Sequence, residues 1–218
     1  MSDLEKLQMY IAGKRCDSFS GETFESLYPY TGKAWATVPR GGAEDVNKAV
    51  EAAKKAYEQG DWPATTPTQR GHLLRKLGDL LLENAERLGK LEVQDNGKLI
   101  AEMGMQTQYA AQWYYYFGGL ADKIEGAVLP IDKPDTFAYT RSEPLGVVGM
   151  ITAWNSPILL LTFKLAAALA AGNTVVVKPS EFTSASTLAF ADLVEKAGFP
   201  TGVFNVVTGY GREAGEAL

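Results

Sequence analysis

The sequence holds one cysteine, Cys16, and one histidine, His72. A lone cysteine cannot close an internal disulfide, and one cysteine with one histidine cannot make a zinc site. No metal centre is expected, and the unpaired thiol fits a reducing, cytoplasmic setting. The chain carries no G-x-G-x-x-G fingerprint, no Walker A sequence and no evident Ser-His-Asp set. It has no block of like charge to serve as an interaction tail. With 26 acidic residues against 21 basic ones, neither nucleic acid nor an anionic membrane is an expected partner. The opening MSDLEKLQMY is polar and acidic, unlike a signal or transit peptide. One uncharged run, Leu145 to Phe163, is long enough to raise a membrane-spanning question. Gly146, Gly149, Asn155, Ser156 and Pro157 interrupt it, so it reads as strand, turn and helix.

What is present is an ordinary globular composition, 46% hydrophobic and 22% charged, at a length of 218 residues that fits one large domain or two small ones. Residues 8 to 40 read as short strands and turns, with Ala-Gly-Lys at the tip of a hairpin near Cys16. A helix is expected from Ala43, with Glu44 and Asp45 in its first turn and Gly60 beyond its end. A second begins near Pro67, capped by Thr66, with Leu73, Leu77, Leu80, Leu81 and Leu88 as its apolar face. A short helix is expected over Leu91 to Lys98, ending near Gly97. A fourth, over about Ile100 to Ile124, carries Tyr109, Trp113, Tyr116 and Phe117, expected as packing between helices. Residues 126 to 143 turn to strand character, with Pro130 and Pro134 suiting an edge or hairpin.

From Gly146 the pattern becomes regular. Strands begin near Gly146, Thr174 and Gly202, 28 residues apart, the spacing of consecutive βαβ units. VVVK and VFNVV are near-continuous apolar runs, as parallel strands covered on both faces require. A helix from Pro157 to Ala171 is apolar nearly all round and is expected to be buried. A further helix has only begun at Leu218.

Two polar clusters fall at the carboxyl ends of the first two strands, where open α/β sheets hold ligands. Trp154-Asn155-Ser156-Pro157 admits two readings. One is helix capping, with Ser156 as N-cap and Pro157 in the first turn. The other is an Asn155 amide poised to donate a hydrogen bond to a developing oxyanion. Lys178-Pro179-Ser180-Glu181 is equally open. It is a solvated strand end with a helix cap, or a grip on ribose hydroxyls, where a carboxylate would repel a 2′-phosphate and favour NAD over NADP. Lys164, the one charge between Pro157 and Val177, must reach solvent or a partner, as a snorkelling side chain or a relay group. Gly209-Tyr210-Gly211 can let a ligand approach the backbone or simply join strand to helix. His72 reads as a surface or packing residue, and Cys16 as a small structural thiol.

These residues carry a family resemblance. AWNSP resembles the P-W-N-F/Y-P signature of the aldehyde dehydrogenase superfamily, and the likeness continues through FKLAAALAAGNTVVVKPSE and AGFPTGVFNVVTGYG. YIAGK, GDWP, the Arg70–Leu77 run and DNGK at Asp95 to Lys98 match as well. The resemblance implies an NAD(P)-dependent oxidation of an aldehyde to a carboxylic acid through a cysteine thiohemiacetal and a glutamate-activated water. It implies an α/β fold: an incomplete Rossmann-like parallel sheet preceded by a helical region, with a β-hairpin oligomerisation segment. The divisions expected are 1–125 for the strands and helices leading into the cofactor domain, 126–143 for the oligomerisation strands, and 144–218 for the first half of the NAD-binding core.

By resemblance, Asn155 is the oxyanion amide and Lys164 the charge-relay lysine. Lys178, Ser180 and Glu181 surround the adenosine ribose, Ile151, Thr152, Ala153 and Trp154 line the cofactor cleft, and Gly211 lies near the adenine. NAD is the expected cofactor, NADP the alternative, and a dimer or tetramer the expected assembly. Ala153 and Ser156 depart from the family's proline and aromatic residue, and the small Ser156 leaves room for a wider substrate tunnel. The family's nucleophilic cysteine, general-base glutamate and second glycine-rich motif fall downstream of Leu218, so the catalytic domain is expected to be absent and the chain alone inactive. The rival expectations are a non-catalytic nucleotide-binding fragment or partner subunit, and an acyl-CoA-forming or acyl-phosphate-reducing relative on the same scaffold.

Overall fold

The computed structural model describes residues 4–218; the first three residues of the acidic N-terminal segment lie outside it. The organising element is a five-stranded sheet in the order Lys14–Cys16 (β3), Met9–Ile11 (β2), Phe204–Val206 (β10), Thr174–Lys178 (β9), Val147–Ile151 (β8). Three strands, β8 (Val147–Ile151), β9 (Thr174–Lys178) and β10 (Phe204–Val206), run parallel, with Val147 opposite Thr174 and Phe204 opposite Val175. The helices α5 (Pro157–Ala170) and α6 (Ala185–Ala197) connect them in sequence. β9 is buried along its whole length, and its valines divide between two cores. Val175 and Val177 pack with Leu161 and Leu165 of α5 and Leu188 of α6, while Val176 packs with Val46, Ala49 and Ala53 of α1 (Ala43–Gln59). A strand covered on both faces has no use for polar alternation, which is why it reads as a continuous apolar run.

The N-terminal hairpin, β2 (Met9–Ile11) and β3 (Lys14–Cys16), extends this sheet by antiparallel pairing of Tyr10 with Val206. Its two-residue turn has Ala12 and Gly13 at positive φ, 52° and 73°. Buried Asn205 fixes the junction. Its Oδ1 accepts from Ala12 N–H at 2.9 Å, and its Nδ2 donates to Gly202 O at 2.7 Å and Val175 O at 3.2 Å. The hairpin expected near Cys16 is present, but it belongs to the same sheet as the strands some 190 residues later, which no local pattern announces.

A second sheet, in the order β1-β5-β4, contains β1 (Glu5–Lys6), β4 (Thr23–Tyr28) and β5 (Lys33–Pro39). The helical layer follows as α2 (Pro67–Glu83), α3 (Ala85–Asn96) and α4 (Ile100–Leu120). α2 starts as expected: Thr66 Oγ1 accepts from Gln69 N–H, and Gln69 Oε1 accepts from Thr66 N–H. α3 ends at Gly97, whose φ of 72° suits a residue without Cβ. α2 and α4 approach closely where Gly71 faces Gly118; a Cβ on Gly71 would sit 2.4 Å from the Gly118 carbonyl oxygen.

Several expectations need correction. α3 begins at Ala85, not Leu91, so Leu88 packs from α3, and the buried leucines of α2 are Leu74, Leu77 and Leu81. α4 closes at Leu120, with a tight turn over residues 121–123. Its aromatic stripe is not interior: Tyr109 and Tyr116 are exposed, Trp113 and Phe117 are half-buried, and the buried aromatic is Tyr114. The buried face runs through Met103, Thr107, Ala110, Ala111, Tyr114 and Gly118, offset from the stripe. Residues 126–143 form only two short paired strands, β6 (Val128–Leu129) and β7 (Ala138–Tyr139), both largely exposed. No helix among the described residues is long and apolar enough to cross a membrane.

Candidate functional site

The two polar clusters lie side by side, because Ile151, the last residue of β8, pairs with Lys178, the last residue of β9. Thr152 continues the ladder by donating its N–H to Lys178 O at 3.2 Å. Lys164 reaches back from α5 and donates to the Ile151 carbonyl oxygen at 2.7 Å, so this exposed ammonium anchors the strand end. Beyond Thr152 the chain emerges: Ala153, Trp154 and Asn155 are exposed, with Trp154 at 53%.

Ser156 does not cap α5 with its side chain. Its Oγ donates to the Asn155 carbonyl oxygen at 2.8 Å, and its backbone (φ −153°, ψ 68°) is not that of an ordinary N-cap. The N–H of Ile158 is instead accepted by Glu92 Oε1 at 2.7 Å, a carboxylate from α3, 66 residues away along the chain. Glu92 is only 1% exposed. Burial pushes its carboxyl up to about 7, against the opposing pull of the Ile158 N–H, Ser186 and Lys98.

At the end of β9, Lys178 is buried and pairs with Glu181 at 2.9 Å. Glu181 is the member that reaches outward, with 26% of its side chain exposed against 3% for Lys178. Burial alone would raise the Glu181 carboxyl. The Lys178 hydrogen bond and charge, together with backbone N–H groups of Glu181 and Gly211, outweigh it and hold the carboxyl below its ordinary value. Gly211, thirty residues further on, thereby joins the cluster, and a Cβ built on it would meet nothing within 4 Å. Ser180 is absorbed into its own turn: its Oγ accepts from Phe182 N–H at 3.3 Å, and its carbonyl oxygen accepts from Ser184 Oγ.

A mainly apolar cavity of about 690 Å³ adjoins both strand ends, with Trp154, Glu181, Phe182 and Tyr210 meeting Phe24 and Asp95 there. Tyr210 packs on Phe24 at 5.2 Å and under the Arg40 guanidinium, which is itself paired with Glu213. A surface cavity of about 740 Å³, lined by mixed charges such as Arg15, Glu83, Lys90 and Asp192, involves neither strand end. His72 is exposed on α2. Cys16 is half-buried on β3, and burial raises its thiol pKa, the condition of an unreactive cysteine. β3 and β8 are the opposite edges of the five-stranded sheet, four strand spacings or about 19 Å apart.

The matches to known proteins are consistent along the chain. The model of the aldehyde dehydrogenase family matches residues 16–218. A curated relative, the (Z)-2-((N-methylformamido)methylene)-5-hydroxybutyrolactone dehydrogenase of Acinetobacter baylyi, is 47% identical over 99% of this chain and 44% of its own length. Among solved structures, an NAD-dependent aldehyde dehydrogenase from Sinorhizobium meliloti superposes with a TM-score of 0.94 at 40% identity, covering 99% of this chain and 43% of that one. The NAD+ complex of an aldehyde dehydrogenase from Bacillus cereus superposes with the same score at 42% identity, covering 98% and 43%. The chain thus spans less than half the length of each of these proteins. The family model covers nearly the whole chain and the fold superposes closely on theirs, so the chain belongs to the aldehyde dehydrogenase family.

Proposed function

We propose that the ends of β8 and β9 form the adenosine half of an NAD site and carry the oxyanion amide of an enzyme that oxidises an aldehyde to a carboxylic acid. The observation that carries this reading is the Lys178–Glu181 pair at the end of a buried parallel strand, beside an unobstructed Gly211. Glu181 accepts from the ribose hydroxyls, and buried Lys178 orients its carboxylate. Ser180 shapes the turn that holds them. Ile151, Thr152, Ala153 and Trp154 form the wall along which the dinucleotide lies, and Lys164 steadies that wall through the Ile151 carbonyl oxygen. When bound, the nicotinamide supplies the hydride acceptor. Asn155 donates its side-chain N–H to the aldehyde oxygen as negative charge develops there during attack by a thiol. Cys16, about 19 Å away across the sheet, cannot be that thiol. These strand ends therefore bind and orient but do not supply the nucleophile.

The exposed hairpin of β6 and β7, with Val128, Phe137 and Tyr139 outward, supports an oligomerisation role for that segment. The single unpaired cysteine supports a cytoplasmic setting. Equilibrium dialysis of the purified chain against NAD+ and NADP+ tests the cofactor reading. NAD+ should be retained in preference to NADP+, because an ionised Glu181 repels a 2′-phosphate, and Glu181→Ser should narrow that preference about tenfold. Equal retention of both by the wild type would contradict it. Added aldehyde should yield no NADH from this chain alone, measured at 340 nm.

A further inference from the structure

α5 and α6 each follow a serine in the capping position, and in both the hydroxyl turns away from the helix. Ser156 Oγ donates to Asn155 O, and Ser184 Oγ donates to Ser180 O. One first-turn N–H of each helix is met by a carboxylate from one other helix, α3. Glu92 accepts from Ile158 N–H at 2.7 Å and lies 3.5 Å from Ser186 Oγ. Asp95 accepts from Ala185 N–H at 2.8 Å through one oxygen and from Ser26 Oγ at 2.6 Å through the other. Three residues apart, Glu92 and Asp95 share one face of α3. Both are buried, at 1% and 3% exposure. A carboxylate is costly to bury without partners. At a helix N-terminus it meets oriented N–H donors and the positive end of the helix dipole, which offset part of that cost.

The placement of Glu92 bears on the turn after β8. That turn is held on its strand side by the Thr152 N–H bond to Lys178 O and by Lys164 on Ile151 O. Ala153, Trp154 and Asn155 then run exposed; Ser156 and Pro157 turn inward, and Glu92 takes the next N–H, that of Ile158. Asn155 is thus suspended between an anchor three residues before it and one three residues after it. We propose that Glu92 is a positioning residue for Asn155: by capping α5 from α3, it fixes the turn that presents Trp154 and Asn155 at the end of β8. This rests on Asn155 being the oxyanion amide, and it adds a group outside the two strand ends to the machinery that aims it.

Two conservative substitutions separate reach from charge. Glu92→Asp keeps the charge but falls one methylene short of Ile158; Glu92→Gln keeps the reach and an acceptor oxygen. Each is made in the whole 218-residue chain labelled with 5-fluorotryptophan, and the Trp154 fluorine resonance is assigned through Trp154→Phe. Glu92→Asp should speed amide exchange at Ile158 about tenfold and shift the Trp154 resonance, while Leu188 exchange and the buried Trp62 resonance stay in place. Glu92→Gln should remain close to wild type in both. Unchanged Ile158 exchange and Trp154 resonance in Glu92→Asp would overturn the proposal. So would a uniform change that includes Leu188 and Trp62, or global unfolding, since either makes the role merely structural. NAD+ binding by the wild type is read on the same samples: its absence removes the dinucleotide reading and leaves the outcome at Ile158 standing on its own.

Discussion

The ends of β8 and β9 are adjacent in the sheet but solve opposite problems. After β9 the critical side chain is buried, so it is balanced within its own turn, Lys178 against Glu181 three residues on. After β8, Ala153, Trp154 and Asn155 are exposed; apart from the Ser156 hydroxyl on Asn155 O, they are held from behind by Lys164 on the strand and Glu92 on the helix. A buried charge must find a partner because desolvation demands one, within its own turn for Lys178 and across 66 residues for Glu92. An exposed functional turn takes its geometry from groups that lie elsewhere in the sequence.

The contrast has a pH signature, and it is the largest effect expected. Burial pushes Glu92 up to about 7 and Asp95 up to about 6, above their ordinary values of 4.5 and 3.8. The folded chain then holds protons that the unfolded chain has released, so stability falls as pH rises between roughly 4 and 7. Lys98 faces Glu92 with the opposite effect and Asp95 reinforces it, both smaller than burial. The Glu92 share is on the order of 3 kcal/mol. Urea unfolding across this range should show the decline in the wild type and a flatter profile in Glu92→Gln. Glu181 has the reverse sign: its folded pKa is lowered, so its contribution is present at neutral pH and is lost as pH falls through the acid range.

Smaller in size is the loss of the local pair. Lys178→Met should cost about 2 kcal/mol in urea unfolding at pH 7, less than for a fully buried pair because Glu181 can rehydrate. The smallest effect separates a true cap from an apparent one. Ser156→Ala should leave stability within about 0.5 kcal/mol of wild type, whereas Thr66→Ala, which removes the reciprocal cap of α2, should cost about 1 kcal/mol. Equal losses from the two substitutions would mean that Ser156 caps α5 after all.

What could be read in the sequence follows from which forces are local. The β-branched run of β9 and the Thr66-Pro67 start of α2 are written in adjacent residues, and the structure agrees with them; the strand repeat is less even than expected, with β8, β9 and β10 starting at Val147, Thr174 and Phe204, 27 and 30 residues apart. The start of α3 was hidden because only Asn84, with neither proline nor glycine, separates it from α2. The stripe of α4 misled because aromatic residues occupy both its faces, and hydrophobicity alone does not say which one the core takes. At the site, Lys178, Glu181 and Asn155 stood out by type and position. Glu92 did not, because a cap delivered across 66 residues leaves no spacing to recognise. Nor did the pairing of β2 with β10, which depends on Asn205.

The most direct test is calorimetric titration of NAD+ into the purified wild-type chain and into Lys178→Met. The expected result is saturable one-to-one binding that Lys178→Met weakens at least about tenfold, because Glu181 loses the group that orients it. No binding by the wild type, or equal binding by both, would contradict the assignment of these two strand ends as the dinucleotide site.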